Sequence, residues 1–162
     1  MLRSALPLLL LLFVLPAQGA EPVRSVNRAI ALFEAAAPRL GASRDDVDIA
    51  AYRAALTLGE GVALVKDADP AGRCDSFAAY TVLPAQNGVV QLVFCPRFFS
   101  SGTDALRTLT VLHEMVHVVA GPDECRAMAF AAAVEQAATG THTPVEPYWQ
   151  ANGCEGSRFS LP

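Results

Sequence analysis

Two of the chain's three histidines stand four residues apart in Val111-Leu-His-Glu-Met-Val-His-Val-Val119, an H-E-x-x-H arrangement. No other feature constrains the fold as strongly, because this spacing has its chemical use on an α-helix. There, residues i and i+4 project from one face, so His113 and His117 can present ring nitrogens to a single metal ion. Glu114, beside the first of them, can then reach a metal-activated water and take its proton. Leu106, Leu109, Leu112, Val116 and Val119 give the same segment an apolar stripe, with the two histidines off it. Thr103 or Asp104 can cap the helix, and Gly121-Pro122 ends it near Ala120. An ordinary amphipathic helix could carry these residues by coincidence, but histidine this scarce argues for a zinc site.

A catalytic zinc usually takes three protein ligands, so two histidines leave one to find. Glu124 lies seven residues past His117, just after the Gly-Pro break, where a sharp turn can fold the next helix back over the ion. Asp123 is its immediate rival. Both acidic residues open an alanine-rich helix that runs to about Ala138, at the end where the helix dipole favours negative charge.

The rest of the chain mixes periods. Val26, Ile30, Leu32, Phe33, Ala37 and Leu40 recur at helical spacing, and Gly41 closes that run. A second helix is expected from Arg44 to Leu58, followed by a loop over Asp67 to Gly72. Ala78 to Leu83 and Val89 to Phe94 are β-rich, and Asn87-Gly88 within Pro84-Ala-Gln-Asn-Gly88 is a strong hairpin signal. Thr139 to Pro147 reads as a loop before a short segment from Tyr148 to Cys154. The expected class is therefore α+β, with a hairpin or small sheet packed on the H-E-x-x-H helix and further helices around it.

Residues 1–20 have the makeup of a cleaved signal peptide: Arg3, an apolar run over Leu8 to Leu15, and small residues at Ala17-Gln-Gly19. That run is short for a membrane span, so the expectation is export to periplasm or medium, without membrane association after cleavage. About 142 residues then remain, enough for one domain over 21–162 and too few for two. The net charge of −4 and the lack of a basic cluster make nucleic acid and anionic membrane surfaces poor partner candidates. Four cysteines, Cys74, Cys95, Cys125 and Cys154, show no C-x-x-C spacing, and an even count in an exported chain argues for two disulfides. Three pairings are possible; Cys74–Cys95 with Cys125–Cys154 is the local one.

The order Cys74…Ala79-Tyr80-Thr81…Val89-Val-Gln-Leu-Val-Phe-Cys95-Pro-Arg-Phe-Phe99…Leu109-Thr-Val-Leu-His113-Glu-Met-Val-His117 resembles the aspzincins, the deuterolysin-type and lysine-specific secreted metalloendopeptidases. Tyr148-Trp-Gln-Ala-Asn-Gly-Cys154 is similar to that family's C-terminal end. The resemblance spans about half the chain and implies a zincin-like domain that cleaves peptide bonds. In the family a Gly-Thr-x-Asp-x-x-Tyr-Gly motif supplies the third ligand. Gly121-Pro122-Asp123-Glu124 aligns with its first four positions, which places Glu124 on the ligand and leaves Ala127 where the family has tyrosine. Another zincin group carries Glu-x-x-Ala-x-x-Phe-Ala at this point, which Glu124-Cys-Arg-Ala127-Met-Ala-Phe130-Ala131 also resembles. Both resemblances imply Glu124.

The expected activity is hydrolysis of a peptide or protein substrate by a monomeric, exported enzyme, with Zn²⁺ on His113, His117 and Glu124 and with Glu114 as general base. Tyr148, His142, Tyr80 and Arg126 are the candidates for steadying the oxyanion. Two other functions fit less of the pattern. One is a zinc-binding pseudopeptidase; the other is a disulfide-stapled exported binding domain. The intact Glu114 favours the enzyme, since a purely structural metal has no use for a base.

Overall fold

The computed structural model describes residues 20–57, 61–66 and 68–162. The expected signal segment lies, apart from Ala20, outside the described residues. The architecture is α+β, as the mixed periods require. Helix α1 (Ala20–Leu40) leads into a two-stranded ribbon, β1 (Ser43–Arg44) and β2 (Val47–Asp48), and then α2 (Ile49–Leu56). Strand β3 (Val62–Lys66) precedes the hairpin β4 (Ala79–Gln86) and β5 (Val89–Phe94). Four helices follow: α3 (Pro96–Ser100), α4 (Asp104–Ala120), α5 (Glu124–Thr139) and α6 (Glu146–Ala151).

The segment expected to be helical from Arg44 behaves otherwise at its start. Asp45 and Asp46 both adopt positive φ, 50° and 60°, so the chain makes a tight two-residue turn between β1 and β2. Aspartate tolerates that region better than most residues, through local side-chain hydrogen bonding. The helix begins only at Ile49, where Asp48 caps it by accepting from the Ala51 N–H at 2.9 Å.

The hairpin is present and longer than the β-rich run suggests. Pro84, Ala85 and Gln86 belong to β4 beyond a register irregularity between Val82 and Gln86, and Leu83-Pro84 is a cis peptide. Asn87 and Gly88 make the turn with φ of 53° and 78°. Strand β3, which no periodicity marked, pairs in parallel with β5, so the sheet order is β3-β5-β4 and β4 is an edge. The disulfide Cys74–Cys95 ties the entry of β4 to the end of β5.

Helix α4 is the centre of the molecule, with α1, α2, α5 and β4 packed around it. Leu109, Leu112 and Val116 are buried as the stripe requires, but Leu106 is 40 % exposed. The two histidines, expected off the buried stripe, are buried as well, because neighbours cover the helix on nearly every side. Tyr52 reaches in from α2, stacks between Phe33 and Phe130 at 4.9 and 4.7 Å, and donates its hydroxyl to the Leu112 carbonyl at 2.7 Å. That bond fixes the helix one residue before His113. The second disulfide, Cys125–Cys154, clamps the start of α5 to the turn after α6. Among the described residues, no helix is long and apolar enough to cross a membrane.

Candidate metal centre

Local sequence sets the two helix ends that build the site. Thr103 caps α4 by accepting from Leu106 N–H, and Gly121 stops the helix at φ 84°. The same glycine's carbonyl accepts from His117 Nδ1 at 2.9 Å. With the proton held on Nδ1, the Nε2 lone pair of His117 is free to bind a cation. After Pro122, Asp123 turns its carboxylate onto the Arg126 N–H at 2.9 Å and caps α5. Asp123 is spent there. Glu124, the first residue of α5, is the one that points back to the histidines.

His113 Nε2, His117 Nε2 and Glu124 Oε2 converge in a small triangle. Its edges are 2.9 Å from His113 to Glu124, 3.1 Å between the histidines and 3.6 Å from His117 to Glu124. A tetrahedral ion with bonds of about 2.0–2.1 Å holds its ligands about 3.3 Å apart, and the three edges bracket that value. His113 and His117 are 5 % and 6 % exposed, and Glu124 is half-buried, so one side of the group is open. These three residues could hold a metal ion.

Electrostatics agree with such a cluster. Burial works against the charge on Glu124, but hydrogen bonds to His113 and His117 outweigh it and hold the carboxyl far below the usual carboxylate range. Burial likewise depresses His117, and the bond to Glu124 with the charge of Glu114 turns the net shift upward. Glu114, 6 % exposed, is raised by burial, partly offset by the two histidines.

Thr81 is the partner that sequence reasoning missed. From β4 its hydroxyl lies 2.9 Å from Glu114 Oε2 and 3.0 Å from the Glu114 carbonyl, as donor to either. Its only signal was a polar residue in an apolar strand run, on the face opposite Tyr80.

Of the four oxyanion candidates, the fold brings one to the group. Tyr148 of α6 donates to Glu124 Oε2 at 2.6 Å and sets its ring edge-on to His113, centroids 5.7 Å apart. Burial, then that bond to a carboxylate, raises its pKa. The other three are elsewhere. Tyr80 donates to Asp69 at 2.7 Å on the sheet. Arg126 bonds the Ala120 carbonyl and lies over Phe159. His142 lines a separate groove with Arg28, Asp104 and Glu135.

Fold and site together define an α+β domain, stapled by two disulfides, with a His-His-Glu group suited to a metal ion. Compared with protein-family models, curated proteins and solved structures, the chain matches none.

Proposed function

We propose that this chain is an exported zinc-dependent peptidase that hydrolyses peptide bonds with Glu114 as general base. One observation carries the reading: a buried carboxylate, Glu114, and a His113-His117-Glu124 triangle of tetrahedral size share one helix and its turn, and His113 and Glu114 face the same cleft. Two imidazoles and one carboxylate are a donor set that catalytic zinc favours. When bound, zinc supplies Lewis acidity and a water that ionises near about pH 7.

The chain's own residues do the rest. Thr81 engages Oε2 of Glu114, so Oε1 takes the proton of the attacking water. As the new C–O bond forms and the C–N bond breaks, Glu114 passes that proton to the leaving amine. Tyr148 holds the Glu124 carboxylate in orientation as an outer partner. Strand β4 is an edge beside α4, and its entry at Ala78 and Ala79 borders the cleft, so an extended substrate can pair along it. The two disulfides suit an oxidising compartment, which supports export. Nucleic acid and membrane have no place in this reading, and one domain acts as a monomer.

A second reading, a zinc-binding pseudopeptidase, draws on a specific fact. The two hydroxyls at the group are both engaged, Tyr148 by Glu124 and Thr81 by Glu114, so neither stands as an independent oxyanion donor. Zinc stoichiometry of the oxidised protein, together with cleavage of a denatured protein substrate by wild type and Glu114→Gln, separates the two. One zinc per chain with cleavage lost in Glu114→Gln supports the peptidase. Zinc with no cleavage in either leaves the binding domain. A folded protein without zinc removes both.

A further inference from the structure

The cleft that opens on His113 and Glu114 runs back along α4 toward its N-terminus. It encloses about 380 Å³. Much of its lining is apolar, supplied by Phe77, Phe98, Leu106, Leu109, Met128 and Val145, with Ser76, Ser101 and Thr110 among the polar residues. Leu106 is a large apolar side chain left 40 % exposed in the first turn of a helix buried over most of its length from Thr108 to His117. It forms one wall of this cleft.

The charges around the cleft are informative. Arg97 donates to the carbonyls of Asp75 and Ser76 at 3.1 Å each, and Arg107 donates to the carbonyls of Phe98 and Gly102 at 3.0 and 3.2 Å and pairs with Asp104 at 3.4 Å. Both guanidiniums therefore brace the segments that wall the cleft. Among the described residues lining it, the one carboxylate is Glu114, engaged by Thr81. A lysine side chain entering here finds two guanidiniums, one already paired with Asp104, and no lining carboxylate free to pair with it, and it must shed its hydration to enter. An apolar side chain meets the apolar wall of Phe77, Phe98, Leu109 and Met128.

We infer that this cleft selects a large apolar side chain, such as leucine or phenylalanine, next to the bond being cut. The inference rests on the peptidase reading and names its substrate class. A peptide paired along β4 places alternate side chains toward α4, and the one adjoining the scissile bond drops into the space between Leu109 and Met128. Burying such a side chain is worth about a tenfold gain or more over leaving it in water.

The test has a binding arm and a cleavage arm. N-acetyl amides of phenylalanine, leucine, lysine and glutamate are titrated into the oxidised protein while the methyl resonances of Leu109 and Met128 are followed. The phenylalanine and leucine amides should shift those methyls and bind at least about tenfold more tightly than the lysine amide. Leu106→Glu, whose carboxylate is compatible with a helix N-terminus, should narrow that ratio. Equal or tighter binding of the lysine amide, or no methyl shift with any amide, overturns the inference. Cleavage sites are then mapped on a denatured protein mixture with the zinc-loaded protein. Cuts concentrated beside large apolar residues support it, and cuts beside lysine or without preference overturn it. Apolar binding with no cleavage sinks the peptidase reading, and with it the substrate role, while leaving the cleft's chemical preference standing.

Discussion

Thr81 Oγ1 lies 2.9 Å from Glu114 Oε2, a single hydrogen bond that joins the edge strand of the sheet to the helix carrying both histidines. The carboxylate is buried, and the side-chain hydrogen bond it accepts comes from Thr81, so this hydroxyl sets which way it faces. Removing one partner of a buried charged group costs about 1–3 kcal/mol. Thr81→Val, close in shape, should lower kcat by roughly tenfold to a hundredfold on that scale. Zinc content should stay at the wild-type level. Steady-state kinetics with elemental analysis reads both, and a loss of zinc would show that Thr81 serves the metal group instead.

The neighbours Asp123 and Glu124 should separate cleanly. Glu124→Ala removes one corner of the triangle and should abolish stoichiometric zinc. Asp123→Ala removes only a helix cap, costing about 1 kcal/mol, and should keep zinc while lowering Tm by a few degrees. Elemental analysis and thermal melts of the two variants decide the assignment.

Tyr148→Phe deletes the hydrogen bond to Glu124 and leaves the ring against His113. Outer partners of this kind are worth about 10–100-fold in metal affinity. Competition with a chelator should show a loss of that size. An unchanged affinity with a large fall in kcat would instead place the hydroxyl on the reacting carbonyl.

The two disulfides make a matched pair for comparison. They close loops of 21 and 29 residues, and each should contribute about 3–4 kcal/mol on the loop-entropy model. Serine at both positions of Cys74–Cys95 should therefore lower stability in urea without moving zinc affinity. Serine at Cys125 and Cys154 should lower both, because that bridge holds α6, and Tyr148 on it, against Glu124.

Acid should weaken the loop before β4. Asp69 accepts from the Tyr80 hydroxyl and from the Cys74 and Arg73 N–H groups, which together hold its pKa below the ordinary value, against a smaller effect of burial. A carboxyl depressed by folding contributes stability that is complete above its unfolded pKa and lost as pH falls through its folded one. Urea midpoints between pH 6 and pH 2 should fall less steeply in Asp69→Asn than in wild type. NMR titration of Asp69 should place its midpoint below that of an exposed aspartate.

Much of this site could be read along the chain because its parts are local. His113, Glu114 and His117 share one helix, and Glu124 follows a single Gly-Pro turn, so spacing and turn chemistry suffice to bring them together. The hairpin was legible for the same reason, through Asn87-Gly88. What escaped depends on distant partners. Strand β3 exists because β5 lies beside it, and Val62 to Lys66 carries no alternation to announce that. The burial of the histidines depends on Glu124 of α5 and Tyr148 of α6 coming to lie against them. Thr81 acquires its importance 33 residues away, across the sheet–helix packing. Tyr148, among four candidates, was chosen by a disulfide and a short helix rather than by any pattern in its own neighbourhood.

Gly121 does two things at one position: its backbone stops α4, and its carbonyl holds the proton on His117 Nδ1. Helix length and ligand protonation are thus written into one residue. Extending α4 by another turn would draw that carbonyl into the ordinary helical ladder, and His117 would lose the partner that keeps its ring oriented. Insertions and designed changes should therefore be tolerated poorly at this junction, even though the glycine is not one of the three residues that could hold a metal ion.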